Sequence, residues 1–449
     1  MRKSSSVYGW CMMNTIERVV VANLCTGCGI CAGICPNNAI SMIIRSGIYL
    51  PEVNYNECVE CQLCLKSCPG YEVDFKELNN HVFGEQPNNE ALGHCIQCFT
   101  GYSVDKTIRF DSSSGGIVTQ LLVYALEHKI IDGAIVTSMS ENNPLEPKVI
   151  VARTKEAIIH SSRSKYCPVT INEGISEILK KDGKYAVVGL PCHIQGIRKA
   201  QMHNQILANR IVFTIGLVCA KSSNFEATRF FLKTIHVSEK NIRQIDYRGS
   251  GWPGGMTITF SDYSKKFIPF SAYRATVGSM LFVPQRCLLC SDALSELADI
   301  TVGDAWLKTY TDDTSGRSIV FIRSKRGEIF VDACRAQEIV ASETNFLAAV
   351  GCERKLLQFK KRDLITRMRV WKFFERPLPK YVFATSIDLT MKSSVVSRLL
   401  ATVRYIIVVL VSKSGKLPDP LMNAFNCLMK FVLRLSYIRY GRTTRYWHH

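Results

Sequence analysis

The middle of the chain alternates between helical spacing of apolar positions and short unbroken apolar runs. Residues 117–127 read as a helix and residues 131–137 as a buried strand. Residues 173–181 read as a second helix, leading through the Asp182-Gly183 turn into an apolar strand at 185–190. A third apolar run at 211–218 precedes a helical stretch at 225–235. Strands covered on both faces show no polar alternation, so this order predicts an α/β domain with a largely parallel sheet. Between residues 244 and 270 the pattern becomes an alternation punctuated by Gly and Pro, clearest at 256–260, which predicts antiparallel strands. A strand at 319–322 and a helix at 327–336 close this body. Ahead of it, residues 15–22 read as a short strand, a cysteine block runs from Cys25 to Cys68, and the polar residues 79–89 read as a connector.

Composition sharpens the picture in two places. The 449 residues allow about three domains at the usual ~150 residues each, and 47% apolar with 21% charged residues excludes wholesale disorder. The net charge of +18 is concentrated: residues 351–449 carry twenty basic and five acidic side chains, leaving a near-neutral body. In that tail Leu399, Leu400, Val403, Ile406, Ile407, Leu410 and Val411 recur at helical spacing with arginines alongside. Such a basic amphipathic helix lies on an anionic membrane surface, packs on its own body or docks to an acidic partner. Arg398 and Arg404 interrupt the most apolar stretch, so it does not predict a transmembrane span. No recognition motif accompanies the charge, which argues against nucleic acid. The nineteen cysteines are odd in number and tightly spaced, and no apolar signal segment follows Met1-Arg2-Lys3. A reducing cytoplasm and metal clusters are expected in place of a disulfide framework.

The cysteine block repeats itself. Cys25-x-x-Cys28-x-x-Cys31-x-x-x-Cys35-Pro36 recurs as Cys58-x-x-Cys61-x-x-Cys64-x-x-x-Cys68-Pro69, at an offset of 33 residues. Three thiolates in a tight loop wrap three corners of an iron–sulfur cube, and the fourth cysteine is directed to the other cluster, as in two-cluster ferredoxins. On that pattern one 4Fe-4S cluster takes Cys25, Cys28, Cys31 and Cys68, and the other takes Cys58, Cys61, Cys64 and Cys35. Paired CxxC units also bind zinc, but zinc sites rarely show this triple spacing followed by Cys-Pro, twice in register.

Four more cysteines lie in the body: Cys192 after the 185–190 strand, Cys219 after the 211–218 strand, and Cys287 with Cys290 as a CxxC. Strand ends of an α/β sheet meet at one edge, so these thiols are able to converge on a metal. Taken alone, Cys192 and Cys219 read as small buried hydrophobes. Cys95 and Cys98 form a further CxxC, either two uncoordinated thiols or a redox pair.

Six segments in order carry a resemblance: Ser112-Ser-Ser-Gly-Gly-Ile117, Ser164-Lys-Tyr166, Gly189-Leu-Pro-Cys192, Gly216-Leu-Val-Cys219, Cys287-x-x-Cys290 and Leu297-Ala-Asp-Ile-Thr-Val-Gly-Asp-Ala-Trp306. Together they resemble the beta subunit of coenzyme F-420-reducing hydrogenase and its relatives, over approximately residues 106–334. The resemblance implies FAD and iron–sulfur centres, with Cys192, Cys219, Cys287 and Cys290 ligating a third 4Fe-4S cluster. It departs from the family's pattern at His193, where many relatives have Gln, and at Cys167. Residues Ser112, Ser113, Ser114, Gly115 and Gly116 precede a helix; the serines read alone as a plain N-cap, and the resemblance points to a phosphate or flavin contact. Ser164 and Lys165 are implied near the flavin or a substrate phosphate, and Asp304 and Trp306 as structural neighbours.

The expected fold class is an α+β ferredoxin-like N-terminal domain (15–78), a connector (79–105), a larger α/β mixed-sheet flavin-binding domain (106–350) and a helical basic tail (351–449). The implied function is an oxidoreductase relaying electrons between 4Fe-4S clusters and FAD and exchanging a hydride with a deazaflavin or another organic substrate. The alternative is a non-catalytic electron-transfer subunit of a larger redox complex. Partners expected are an electron-donor or acceptor protein, ferredoxin or a complex subunit, and a peripheral membrane contact through the tail.

Overall fold

The computed structural model describes residues 14–89, 91–310 and 312–383; the amphipathic stripe at 399–411 lies outside them. The β-branched run at 15–22 predicts a strand, yet the chain there forms a five-residue helix, Glu17–Val21. Ile16 and Val19, three apart, reach the core while Val21 is 46% exposed. Burial at a spacing of three suits a helical turn and not a pleat. The cysteine block continues with an antiparallel hairpin, β1 (Ile40–Arg45) and β2 (Ile48–Val53), then a short β3 (Glu72–Asp74).

The body contributes β4 (Gln97–Ser103), β5 (Gly133–Met139), β6 (Pro147–Ala152), β7 (Tyr185–Gly189) and β8 (Ile211–Leu217). A separate antiparallel sheet follows, made of β9 (Ile242–Asp246), β10 (Gly255–Phe260) and β11 (Lys265–Pro269). The chain then returns as β12 (Ile300–Asp304), β13 (Ser318–Ile322) and β14 (Ile339–Glu343), and β15 (Lys380–Val382) pairs in parallel with β3. The main sheet has eight strands in the order β14-β4-β13-β12-β8-β7-β5-β6.

Only its centre is parallel. The β12–β8, β8–β7 and β7–β5 pairs are parallel, while β14–β4, β4–β13, β13–β12 and β5–β6 are antiparallel, so the sheet is mixed and not largely parallel. The parallel strands bury alternate residues in two cores. Ala134, Val136 and Ala186 meet the Ile117–Glu127 and Lys325–Arg335 helices on one face. Ile135 and Val187 meet the Asn172–Lys180 and Pro191–Gln201 helices on the other. The connector expected at 79–105 is corrected in part: its residues 97–103 are β4, between β14 and β13. That strand alternates with Gln97, Thr100 and Gly101, so it lacks the unbroken apolar run by which the others are recognised.

The cysteine block is packed firmly on the body. Ile30 and Ile34 join the core of the Asn172–Lys180 helix, and Ile171 N donates to Cys28 O at 3.0 Å. Gly29 has φ +79°, and a Cβ there would stand 2.0 Å from Thr170 Oγ1, so the contact needs glycine on both counts. Lys199 Nζ donates to Cys68 O at 3.0 Å. Among the described residues no helix is long and apolar enough to cross a membrane.

Candidate functional site

The first quartet of thiols forms inside this junction. Cys28, Cys31 and Cys68 are buried and Cys25 is partly so. Burial first, and then the neighbouring Cys68, push Cys25 well above the ordinary thiol range, and Cys28 is pushed up to about 11 by the same two causes. Cys31 feels Cys28, Cys25, Cys68 and Cys64. Four thiols this close in so dry a place become thiolates only when a cationic core supplies the compensating charge, which is what an iron–sulfur cluster does.

The second quartet rings a surface pocket. Cys35, Cys58, Cys61 and Cys64 all line it, with Thr15 and Pro36 between them, and Cys61 is exposed. Among the described residues no three metal-binding side chains close on one point as a single ion would require.

Body and block come together at the third quartet. The charges acting on Cys192, after its burial, are Cys28, Cys287, Cys219 and Cys290, in that order. Arg286 ties the junction: its Nε donates to Gly70 O at 3.2 Å and its Nη2 to Pro69 O at 2.9 Å. One arginine thus links the residue beside Cys287 to the residues after Cys68. Cys192 starts the Pro191–Gln201 helix, where His193 Nδ1 accepts from Leu190 N at 3.2 Å. Burial pushes His193 down to about 4, so the ring is neutral, with Nε2 facing Val169 O at 3.2 Å. His193 therefore shapes the turn that presents Cys192.

Residues 112–116 lie at the same end of the sheet. Val302 of β12 pairs with Leu217 of β8, so Asp304 and Cys219 leave neighbouring strands close to level, about 4.8 Å apart in the pairing direction. Asp304 pairs with Ser318, and the Ser318 hydroxyl lies 2.7 Å from Ser114 Oγ and accepts from Gly115 N at 3.0 Å. A Cβ on Gly115 would stand 2.4 Å from Gly101 O, so the loop can seat against β4 only with glycine there. The Ile117–Glu127 helix is capped by Gly116 at φ +76°, with no side-chain hydrogen bond to its first-turn amides. The plain serine N-cap is thus not what the loop provides.

Arg248 organises this site. Its Nη1 donates to Tyr166 Oη at 2.9 Å and to Asp304 Oδ2 at 3.3 Å, and its Nη2 to Ser113 O. Ser164 N donates to Ser113 Oγ at 2.7 Å. The expected phosphate contact from Lys165 is corrected: its three donors are spent on Ser161 O, Ser162 O and Arg163 O at 2.6–2.9 Å, and burial lowers it to about 7. Three buried polar atoms have no partner here: Ser112 Oγ, Arg248 Nε and Trp252 Nε1. Trp252 packs against Trp306 with ring centroids 4.6 Å apart and planes tilted by 45°. Orphaned donors, free helix amides and a close glycine fit an anionic, hydrogen-bonding ligand such as a phosphate-bearing cofactor.

Residues 98–176 match the N-terminal, and residues 182–345 the C-terminal, description of the coenzyme F420 hydrogenase/dehydrogenase beta subunit, together more than half of the chain. The chain belongs to the coenzyme F420 hydrogenase/dehydrogenase beta-subunit family. Residues 24–73 match the 4Fe-4S dicluster domain. The coenzyme F420 hydrogenase subunit beta of Methanosarcina barkeri is 28% identical over 53% of this chain and 77% of its own length. A component of the F(420)H(2) dehydrogenase of Methanosarcina mazei is 23% identical over 77% of this chain and 92% of its own. The coenzyme F420-dependent sulfite reductase of Methanocaldococcus jannaschii is 24% identical over 75% of this chain, which spans 49% of that protein. A solved chain of the F420-reducing NiFe hydrogenase complex from Methanosarcina barkeri shares the fold, with TM-score 0.51 and 24% identity over 65% of this chain and 98% of its own.

Within this member of the beta-subunit family, several residues of the site carry no sequence signal. Arg248, Trp252 and Ser318 come from three separate segments and meet only in the folded chain. Cys95 and Cys98 are buried, with Cys95 Sγ donating to Gln97 O and Cys98 Sγ to Thr344 O. Burial raises both, Cys98 to about 11, so neither is an activated redox thiol.

Glu353 adds a pH-dependent feature. Burial first, and then the Asp304 charge, push its carboxyl from 4.5 up to about 8. A carboxyl raised on folding favours the folded state fully below its unfolded value, and that contribution is lost as pH rises from about 4.5 towards 8, at about 1.4 kcal/mol for each pH unit crossed. Glu353→Gln is therefore expected to melt above the unaltered protein at pH 9 and alongside it at pH 5. Anaerobic thermal melts at the two pH values check this, and an equal difference at both contradicts it.

Proposed function

We propose that this chain is an iron–sulfur flavoprotein oxidoreductase that relays electrons between 4Fe-4S clusters and FAD, and exchanges a hydride with a deazaflavin of the coenzyme F420 kind or with another organic substrate. In this reading Cys25, Cys28, Cys31 and Cys68 hold one cluster, and Cys58, Cys61, Cys64 and Cys35 a second. Cys192, Cys219, Cys287 and Cys290 hold a third. The observation that carries the reading is the common edge of the sheet, where Cys192, Cys219 and Asp304 leave β7, β8 and β12 side by side, with Cys28 behind Cys192. Ligands of open α/β sheets sit outside the carboxyl ends of the strands.

A flavin supplies the conversion between one-electron carriers and a two-electron substrate. The residues around it have separate tasks. Ser112 Oγ, Arg248 Nε and the first-turn amides of the Ile117–Glu127 helix bind the anionic part, with Ser113, Ser114, Gly115 and Gly116 setting the loop. Ser164 and Lys165 brace the loop that carries Tyr166 against Ser113. Arg248 pulls the Asp304 carboxyl down against its burial, the larger of the two effects, which leaves that carboxyl raised. The Trp252–Trp306 pair flanks this side of the site. The names of the relatives support a deazaflavin and a partner within a redox complex.

Anaerobic purification with iron, sulfide and flavin assays tests the reading, followed by turnover of reduced F420 with a one-electron acceptor. About twelve irons, from three four-iron clusters, and one FAD per chain are expected. Eight irons would remove the third cluster. Full iron without flavin or turnover would leave the chain as an electron-transfer component alone.

A further inference from the structure

Beyond residue 345, where the match to the family ends, the chain wraps back over the CxxC of the third quartet. It does so through the Phe346–Cys352 and Arg354–Leu357 helices, a π-helical turn at Gln358–Arg362, and the Leu364–Phe373 helix. Arg367 Nε donates to Leu288 O at 2.6 Å and Tyr381 Oη to Leu289 O at 2.8 Å, so both residues between Cys287 and Cys290 are held through their carbonyls. The Arg286 guanidinium lies 5.3 Å over the Tyr381 ring. This segment is a clamp on the cluster loop.

The clamp delivers a cation. Three basic residues follow one another in the π-helical turn, a form of helix that is rare and concentrates at functional sites. Lys361 pairs with Glu296 at 2.9 Å and Arg362 with Asp363 at 2.8 Å. Lys360 is turned inward and is 1% exposed. Phe359, the residue before it, packs in one core with Cys287, Leu288 and Leu289, and the charges acting on Lys360 most strongly are the thiols of Cys290, Cys219 and Cys287. Neutral thiols do not compensate a buried ammonium, whereas thiolates on an anionic cluster do.

We propose that Lys360 is the fixed counter-charge of the third cluster and raises its reduction potential; this rests on the third-cluster reading above. Reduction adds one electron to an already anionic centre, and a cation held beside it favours the reduced form. Charge and burial are among the levers by which a protein sets cluster potentials. Arg286 is a second cation nearby, but it also ties the cysteine block to the body, so Lys360 is the residue to change.

The test uses the full chain, Lys360→Met and Lys360→Arg, prepared without oxygen, assayed for iron and titrated potentiometrically by electron paramagnetic resonance. Lys360→Met is expected to keep about twelve irons and to lower one of the cluster potentials by about 59 mV or more, a tenfold change in the ratio of reduced to oxidised centre. Lys360→Arg is expected to restore it. Loss of four irons from Lys360→Met that Lys360→Arg prevents would also support a counter-charge. Unchanged potentials with full iron, or the same loss of iron from both variants, would overturn the proposal. Eight irons in the unaltered protein would sink the third-cluster reading itself.

Discussion

Cys219→Ala is expected to leave about eight of twelve irons and a flavin that the remaining clusters no longer reduce. The substitution removes a single thiol from the end of β8 while its backbone anchors persist: Val218 N still donates to Val302 O, and residue 219 N to Ala293 O. The strand should therefore hold its place, and the loss should stay confined to the centre shared with Cys192, Cys287 and Cys290. Dithionite should still bleach the two centres of the cysteine block. Stopped-flow absorbance separates the phases: rapid cluster bleaching is expected to survive while the flavin phase disappears. A full iron complement, or flavin reduction at the original rate, would refute the assignment of Cys219 and of the route through it.

The second large effect is expected at Arg248. Its guanidinium is 1% exposed and bridges Asp304, Tyr166 and the Ser113 carbonyl. Arg248→Met strands a carboxylate that burial already disfavours, and breaking such a pair costs about 3–5 kcal/mol. The loop at 112–116 loses its anchor at the same time, and with it a charged donor to the ligand, about 1.5–3 kcal/mol and hence roughly ten- to hundredfold in flavin affinity. Pairing the change with Asp304→Asn should recover most of the stability and none of the flavin affinity. Anaerobic melts and flavin fluorescence after ultrafiltration measure the two halves, and a single variant that melts normally and retains flavin would dismiss the role given to Arg248.

Legibility in the sequence follows the range of the interactions. The paired quartets between Cys25 and Cys68 are local, so their spacing is readable without any fold. Cys192, Cys219, Cys287 and Cys290 come from distant segments, and only the resemblance links them. The parallel centre of the sheet is legible because strands buried on two faces are unbroken apolar runs. β4 is not, because Thr100 and Gly101 interrupt it at the place where Ser318 and Gly115 must approach. Arg248, Arg286 and Lys360 are single basic residues among 56; nothing in their neighbours marks them, since the partners named for them lie between 56 and 217 residues away along the chain. Lys165 fails in the opposite sense: it sits in a matching motif, but its own loop consumes its donors.

The seam closed by Arg286, Lys199 and Gly29 has a kinetic consequence. Many multi-centre enzymes ferry electrons on a tethered module that swings between donor and acceptor, and solvent drag then limits each trip. Here the cysteine block is packed on the body through those contacts, so under the proposed function transit inside the molecule needs no excursion and should be indifferent to added glycerol or sucrose. Viscosity would slow only the arrival of whatever molecule meets the outermost centre at Cys61.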